Sequence, residues 1–158
     1  MRAIAAMLLV LAVSCSDAPD VAFEQPSAPA EAWRHVQRVD GMLPQRAAAI
    51  ALTDREALSQ AWAEHGFRGA PPRVDFADRF VLVLLQLDDG CPDELVRLEV
   101  IDRRLRVKWQ RPPGGCIEPL IYRLHAIDVS RRHVPASFTV AVPPQYDDLA
   151  KPTRIRLR

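Results

Sequence analysis

The chain has only three cysteines and two lysines, and no apolar run long enough to cross a membrane as a helix. Each shortage excludes something. A spanning helix needs about 20 apolar residues, and the run Ala3–Val13 falls well short of that. Basic residues number 21 against 20 acids, a formal net charge of +1, so no overall field gathers nucleic acid. The bases are almost all arginine; Lys108 and Lys151 are the only lysines, a compositional bias that carries no function. None of the cysteines has a CxxC partner or a histidine at metal-ligand spacing, so no zinc site is legible and no cofactor is expected. Histidines 35, 65, 125 and 133 are scattered, and none accompanies a G-x-S-x-G nucleophile signature. No internal repeat is present. The chain therefore reads as non-catalytic.

What is present begins at the amino terminus. Arg2 is followed by the apolar run Ala3–Val13 and then by "SCS", with Cys15 at the edge of small residues. That order is an export signal, and "LAVSCS" resembles a bacterial lipobox, with Ala12 standing where leucine is usual. The resemblance implies that residues 1–14 are a lipoprotein signal peptide and that Cys15 becomes the lipidated first residue. More than one acyl chain holds such a protein stably on its membrane. Ser16 follows the cysteine in place of aspartate; by analogy with lipoprotein sorting, this points to the outer membrane, facing the periplasm. Residues 15–32 are rich in proline, alanine and acids. They bury too little apolar surface to offset ordering entropy and read as a flexible tether reaching on the order of 20–25 Å.

Residues 33–158 suffice for one domain with its own core. In "LTDREALSQAWAEHG", Thr53 and Glu56 form a T-x-x-E capping box. Leu58, Ala61, Trp62 and His65 fall on one helical stripe, and Gly66 ends it. The pattern predicts one packed helix over 54–65, with His65 partly buried at its end. "RFVLVLLQL", 79–87, is a nearly unbroken apolar run, the mark of a strand covered on both faces. Val96, Leu98 and Val100, then Leu105, Val107 and Trp109, alternate with polar residues around Asp102-Arg103. This predicts a hairpin with Val100 facing Leu105, Leu98 facing Val107 and Val96 facing Trp109. Segments 33–39, 48–52, "IEPLIYRLHAIDV", 138–142 and 155–157 supply further strands, the last at an edge. The expected fold is α+β: a mainly antiparallel β-sandwich or open barrel with one packed helix.

With Cys15 lipidated, Cys91 and Cys116 remain as an even pair in an exported chain. The hairpin ladder, extended outward, brings them within about two residues of facing each other. A Cys91–Cys116 disulfide is therefore expected.

"VQRVDG", "AAAIALTDREALSQAWAEHG" and "PPRVDFADRFVLVLL", in this order, resemble the C-terminal domain of PrcB-type protease-complex subunits, as do "LIYRLHAIDV" and the final alternating strand. The resemblance covers most of residues 33–142. It implies an exported, lipid-anchored, non-catalytic domain that assists or stabilises a secreted protease. Where that family carries a glycine-rich turn with an aromatic, this chain has "DDGCPDEL".

Asp88, Asp89, Asp93 and Glu94 are the densest acid cluster. Their spacing is not that of a calcium loop, so they read as a solvated loop and a possible partner loop; no metal is expected. Arg103, Arg104 and Arg106, with Arg131-Arg132 beyond, suit anionic lipid or an acidic partner, but commonly such charges only keep a sheet edge soluble. Trp33, Trp62 and Trp109 fall on core-facing phases. The functional expectation is a protein-interaction lipoprotein of the bacterial cell envelope, fixed to the membrane by its lipid. It would dock an exported protein, a protease by resemblance, and no nucleic acid. The alternative is a small-ligand-binding module using a hollow interior.

Overall fold

The computed structural model describes residues 32–88, 93–111, 113, 121–141 and 150–157. The signal, most of the tether, Cys15, Asp89, Cys91 and Cys116 lie outside the described residues, and of Asp88 only the backbone is described.

Among the described residues, two four-stranded sheets pack face to face, and one α-helix covers the outer side of the first. The first sheet runs in the order β1 (Trp33–Asp40), β6 (Ile121–Ser130), β3 (Arg79–Asp88), β2 (Ala49–Leu52), antiparallel throughout. In β3, Phe80, Leu82 and Leu84 point to the inter-sheet core, while Val81 and Val83 point to the helix side. Burial on both faces is what the unbroken apolar run predicts. The neighbouring β6 is equally central. Its mixed pattern arises because Arg123, His125, Asp128 and Ser130 are buried polar residues interleaved with apolar ones.

The second sheet runs β4 (Glu94–Ile101), β5 (Arg104–Gln110), β7 (Ser137–Val140), β8 (Thr153–Arg156), with β8 at the edge. The β4–β5 hairpin has Val100 opposite Leu105 and Leu98 opposite Val107 as expected. The third pair differs: Leu95, not Val96, faces Trp109, because a bulge at Val96 shifts the register between Leu95 and Arg97. One extra residue turns the strand by a phase and lets both Leu95 and Leu98 reach the core. Asp102 and Arg103 form the turn with φ of 50° and 58°, the left-handed pair that a two-residue hairpin requires. A short parallel contact joins β5 to β7.

Two cores result. Phe80, Leu82, Ile127, Phe138 and their neighbours fill the space between the sheets. Leu58, Ala61 and Trp62 of α1 (Arg55–Glu64) cover Val81, Val83, Leu124 and Ala126 on the other face. The helix is capped one residue later than the T-x-x-E pattern implies. Asp54, not Thr53, is the N-cap, and its Oδ1 accepts a 2.8 Å hydrogen bond from the Ala57 amide. A carboxylate there also complements the positive end of the helix, which a hydroxyl does not. Gly66 follows the helix at φ 70°, with His65 half-buried as the C-cap. The architecture is thus an α+β sandwich of two separate sheets.

Candidate functional site

The inter-sheet face of the first sheet is apolar along most of its length and polar at one end. Down β3 the inward series Phe80, Leu82, Leu84 ends in Gln86; down β6, Val129 and Ile127 give way to His125 and Arg123. On β1 a bulge between His35 and Gln37 shifts the phase, so that His35 before it and Arg38 and Asp40 after it share the inner side. Leu95 and Trp109, paired on β4 and β5, face them from the second sheet. Between β1 and β4 this leaves an open cleft of about 540 Å³ lined by His35, Arg38, Asp93, Glu94 and Leu95.

Buried behind His35 of this lining, His125 has its Nδ1 3.3 Å from His35 Nε2, and the His125 ring stands 4.5 Å from Trp109, tilted by 52°. His125 is 1% exposed. Burial first, then the charges on His35, Arg38 and Arg123, lower its pKa from 6.5 to about 3. Burial and then Arg38 also lower that of His35. Both rings are neutral at pH 7, so one nitrogen of the pair donates and the other accepts. His125 Nε2 is buried without a hydrogen-bond partner, as is Oε1 of Gln86. The Gln86 amide donates from Nε2 to Asp93 Oδ2 at 3.5 Å, and Asp93 also stands 3.6 Å from Arg111 Nε. Arg123 Nε donates to Asp40 Oδ1 at 3.4 Å.

Chemically the two histidines supply little basicity. A general base works best with its pKa near the operating pH, and His125 lies far below that. The two unpartnered atoms are buried polar groups of the kind that an internal water satisfies. Among the described residues, no group of three or more His, Cys, Asp or Glu side chains is arranged to hold a metal ion.

The structure brings Asp93 and Glu94 of the expected partner loop to the cleft mouth beside His35 and Arg38. Asp88 closes β3 opposite Ile121. His65 sits at the helix end and His133 in a short 3₁₀ turn after β6, on separate elements. Trp33 and Trp109 pack against the inter-sheet core, and Trp62 lies under α1. Gln86, Arg123 and the His35–His125 pairing went unrecognised in the sequence. One signal was there: His125 is in phase with Ile127 and Val129 and therefore inward.

No protein-family model, curated protein or solved structure matches this chain.

Proposed function

We propose that the protein is a membrane-anchored extracytoplasmic lipoprotein whose single domain, lifted by its tether, docks another exported protein through the β1–β4 cleft. The lipobox around Cys15 and the acidic, proline-rich stretch after it support the anchor and the leash. Ser16 favours the outer membrane of a bacterial envelope, facing the periplasm. The resemblance to PrcB-type subunits supports an exported protease as the partner, assisted or stabilised without catalysis by this chain.

One observation carries the docking role. The cleft gathers two carboxylates, an arginine and an imidazole at an open mouth, while the sandwich interior is filled by Phe80, Phe138, Leu82 and Ile127. A photo-crosslinker at Glu94 in the native cell is expected to capture an exported protease. His35→Ala with Arg38→Glu should abolish the capture, and a crosslinker at Glu64 on the helix should not yield it. A monomer with no protease captured from position 94 overturns the reading.

The cleft volume is also within the range of small-molecule sites, and the polar lining of His35, Arg38, Asp93 and Glu94 favours a small polar ligand as a second reading. A ligand that raises the melting temperature of the wild type but not of Arg38→Ala would establish it.

A further inference from the structure

The near-zero net charge hides a strong segregation. The outer side of the second sheet is not covered by the helix, and its outward phases carry Arg97 on β4, Arg104, Arg106 and Lys108 on β5, and Arg154 and Arg156 on β8. All but Arg97 are exposed. Against these six bases the described strands of the same side carry two outward acids, and the hairpin turn adds Asp102. Glu94 lies at the far margin, and Glu99 is held 2.6 Å from Arg97 Nη2. Between the bases stand the hydroxyls of Ser137 and Thr139 on β7, and Arg154 Nε donates to Ser137 Oγ at 3.2 Å. At one end of this face the hairpin tip presents Arg103 next to Ile101, one of two large apolar side chains left exposed among the described residues.

We propose that this sheet face is a second membrane contact, lying flat on anionic lipid headgroups with Ile101 at the hairpin tip entering the interface. Bases on a sheet stand about 5–7 Å apart along and across strands, so many phosphates are met at once by one rigid surface. Each arginine or lysine near an anionic bilayer adds about 1 kcal/mol, roughly a fivefold gain in partitioning. Serine and threonine hydroxyls add hydrogen-bond donors to phosphate. A single-stranded nucleic acid, the other polyanion, is favoured by aromatic stacking platforms, and none of the described residues on this face is aromatic. An apolar residue at a basic tip suits a lipid interface better than an acidic protein. The contact goes beyond the docking role proposed above and does not depend on acylation. It would orient the domain with α1 turned away from the bilayer.

The test uses the full chain with Cys15→Ala, so that no acyl chain is attached. Co-sedimentation is measured with vesicles of phosphatidylcholine alone and with vesicles of equal parts phosphatidylcholine and phosphatidylglycerol. Anionic vesicles are expected to bind more tightly by at least about tenfold, and raised salt should remove the excess. Arg106→Glu with Arg154→Glu should abolish the excess, Ile101→Asp should reduce it, and Arg73→Glu, an exposed change beyond the helix, should leave it intact. Circular dichroism establishes that each variant is folded. Equal binding to both vesicles, or an excess insensitive to the Arg106 and Arg154 changes, overturns the proposal. So does an Arg106- and Arg154-dependent affinity for single-stranded DNA or polyglutamate without one for anionic vesicles.

Discussion

The Nδ1 of His125 stands 3.3 Å from the Nε2 of His35, a contact made by two neutral rings between the end of one sheet and the cleft above it. Unfolded, His125 titrates at its ordinary 6.5; folded, at about 3. Between those values the unfolded chain binds a proton that the folded chain refuses. Stability is therefore full above about pH 6.5 and drains as the pH falls toward 3, by up to ~1.4 kcal/mol per pH unit. His35, shifted the same way, adds to the slope. Urea unfolding near pH 7 and at about pH 4.5 measures it. His125→Phe should flatten the loss, since it removes the titrating ring and an unpartnered nitrogen while keeping contact with Trp109. A loss of equal size in the variant would assign the acid sensitivity to carboxylates instead.

Asp128 offers a different kind of buried charge, on the helix side of β6. Its side chain is 6% exposed and accepts from Arg79 Nε at 2.6 Å and from Arg34 Nη2 at 3.2 Å. Arg79 and Asp128 lie near the junction of three strands, and Arg79 Nη2 also donates to the Asp128 carbonyl. Asp128→Asn keeps the shape but removes the negative charge that Arg79 and Arg34 share. The expected cost is about 2 kcal/mol. Arg34→Ala, whose side chain is mostly in solvent, should cost less than about 1 kcal/mol. A double-mutant cycle on Arg79 and Asp128 reads the coupling directly.

The helix cap gives a test in which two adjacent residues should respond differently. Asp54→Ala removes the 2.8 Å bond to the Ala57 amide and should lower stability by about 1 kcal/mol. Thr53→Ala removes no capping bond and should stay within about 0.5 kcal/mol. Thermal melts of the two variants decide between Asp54 and Thr53.

That one-residue shift shows which physics a sequence exposes. Helix α1 was legible because its apolar stripe and terminal glycine are local, but Thr53 and Asp54 are both competent caps. Which one serves depends on where the chain leaves β2. Strand β3 was legible because burial on both faces leaves a plain composition. The hairpin register was right at Val100 and Leu98 and failed at Val96, since a bulge is an accommodation to the opposing sheet. The cleft was least visible. Its lining comes from β1 and from the start of β4, and the juxtaposition of His35 with His125 is made by pairing across 90 positions. Only the inward phase of His125 among apolar neighbours hinted at it. Asp93 and Glu94 stand out as acids in the sequence, and the fold sets these two residues in the cleft lining.

The last prediction concerns the open end of the β4–β5 hairpin. Glu94 pairs with Gln110, and just outside that pair the Asp93 carboxylate stands 3.6 Å from Arg111 Nε. The two strands are therefore still side by side where the sequence leads back toward Cys91 and on toward Cys116. In an oxidising compartment two cysteines so flanked are expected to join. A disulfide closing a loop of this length adds about 3–4 kcal/mol by restricting the unfolded chain. Protein purified from an oxidising compartment and unfolded without reductant should show neither thiol, and two more after reduction. Cys91→Ser and Cys116→Ser should each lower the urea midpoint, and the double variant should cost no more than either single one, because each change removes the same bond. Additive losses, or thiols that react before reduction, would mean that the cysteines stand apart and that the hairpin mouth is held by Asp93 and Arg111.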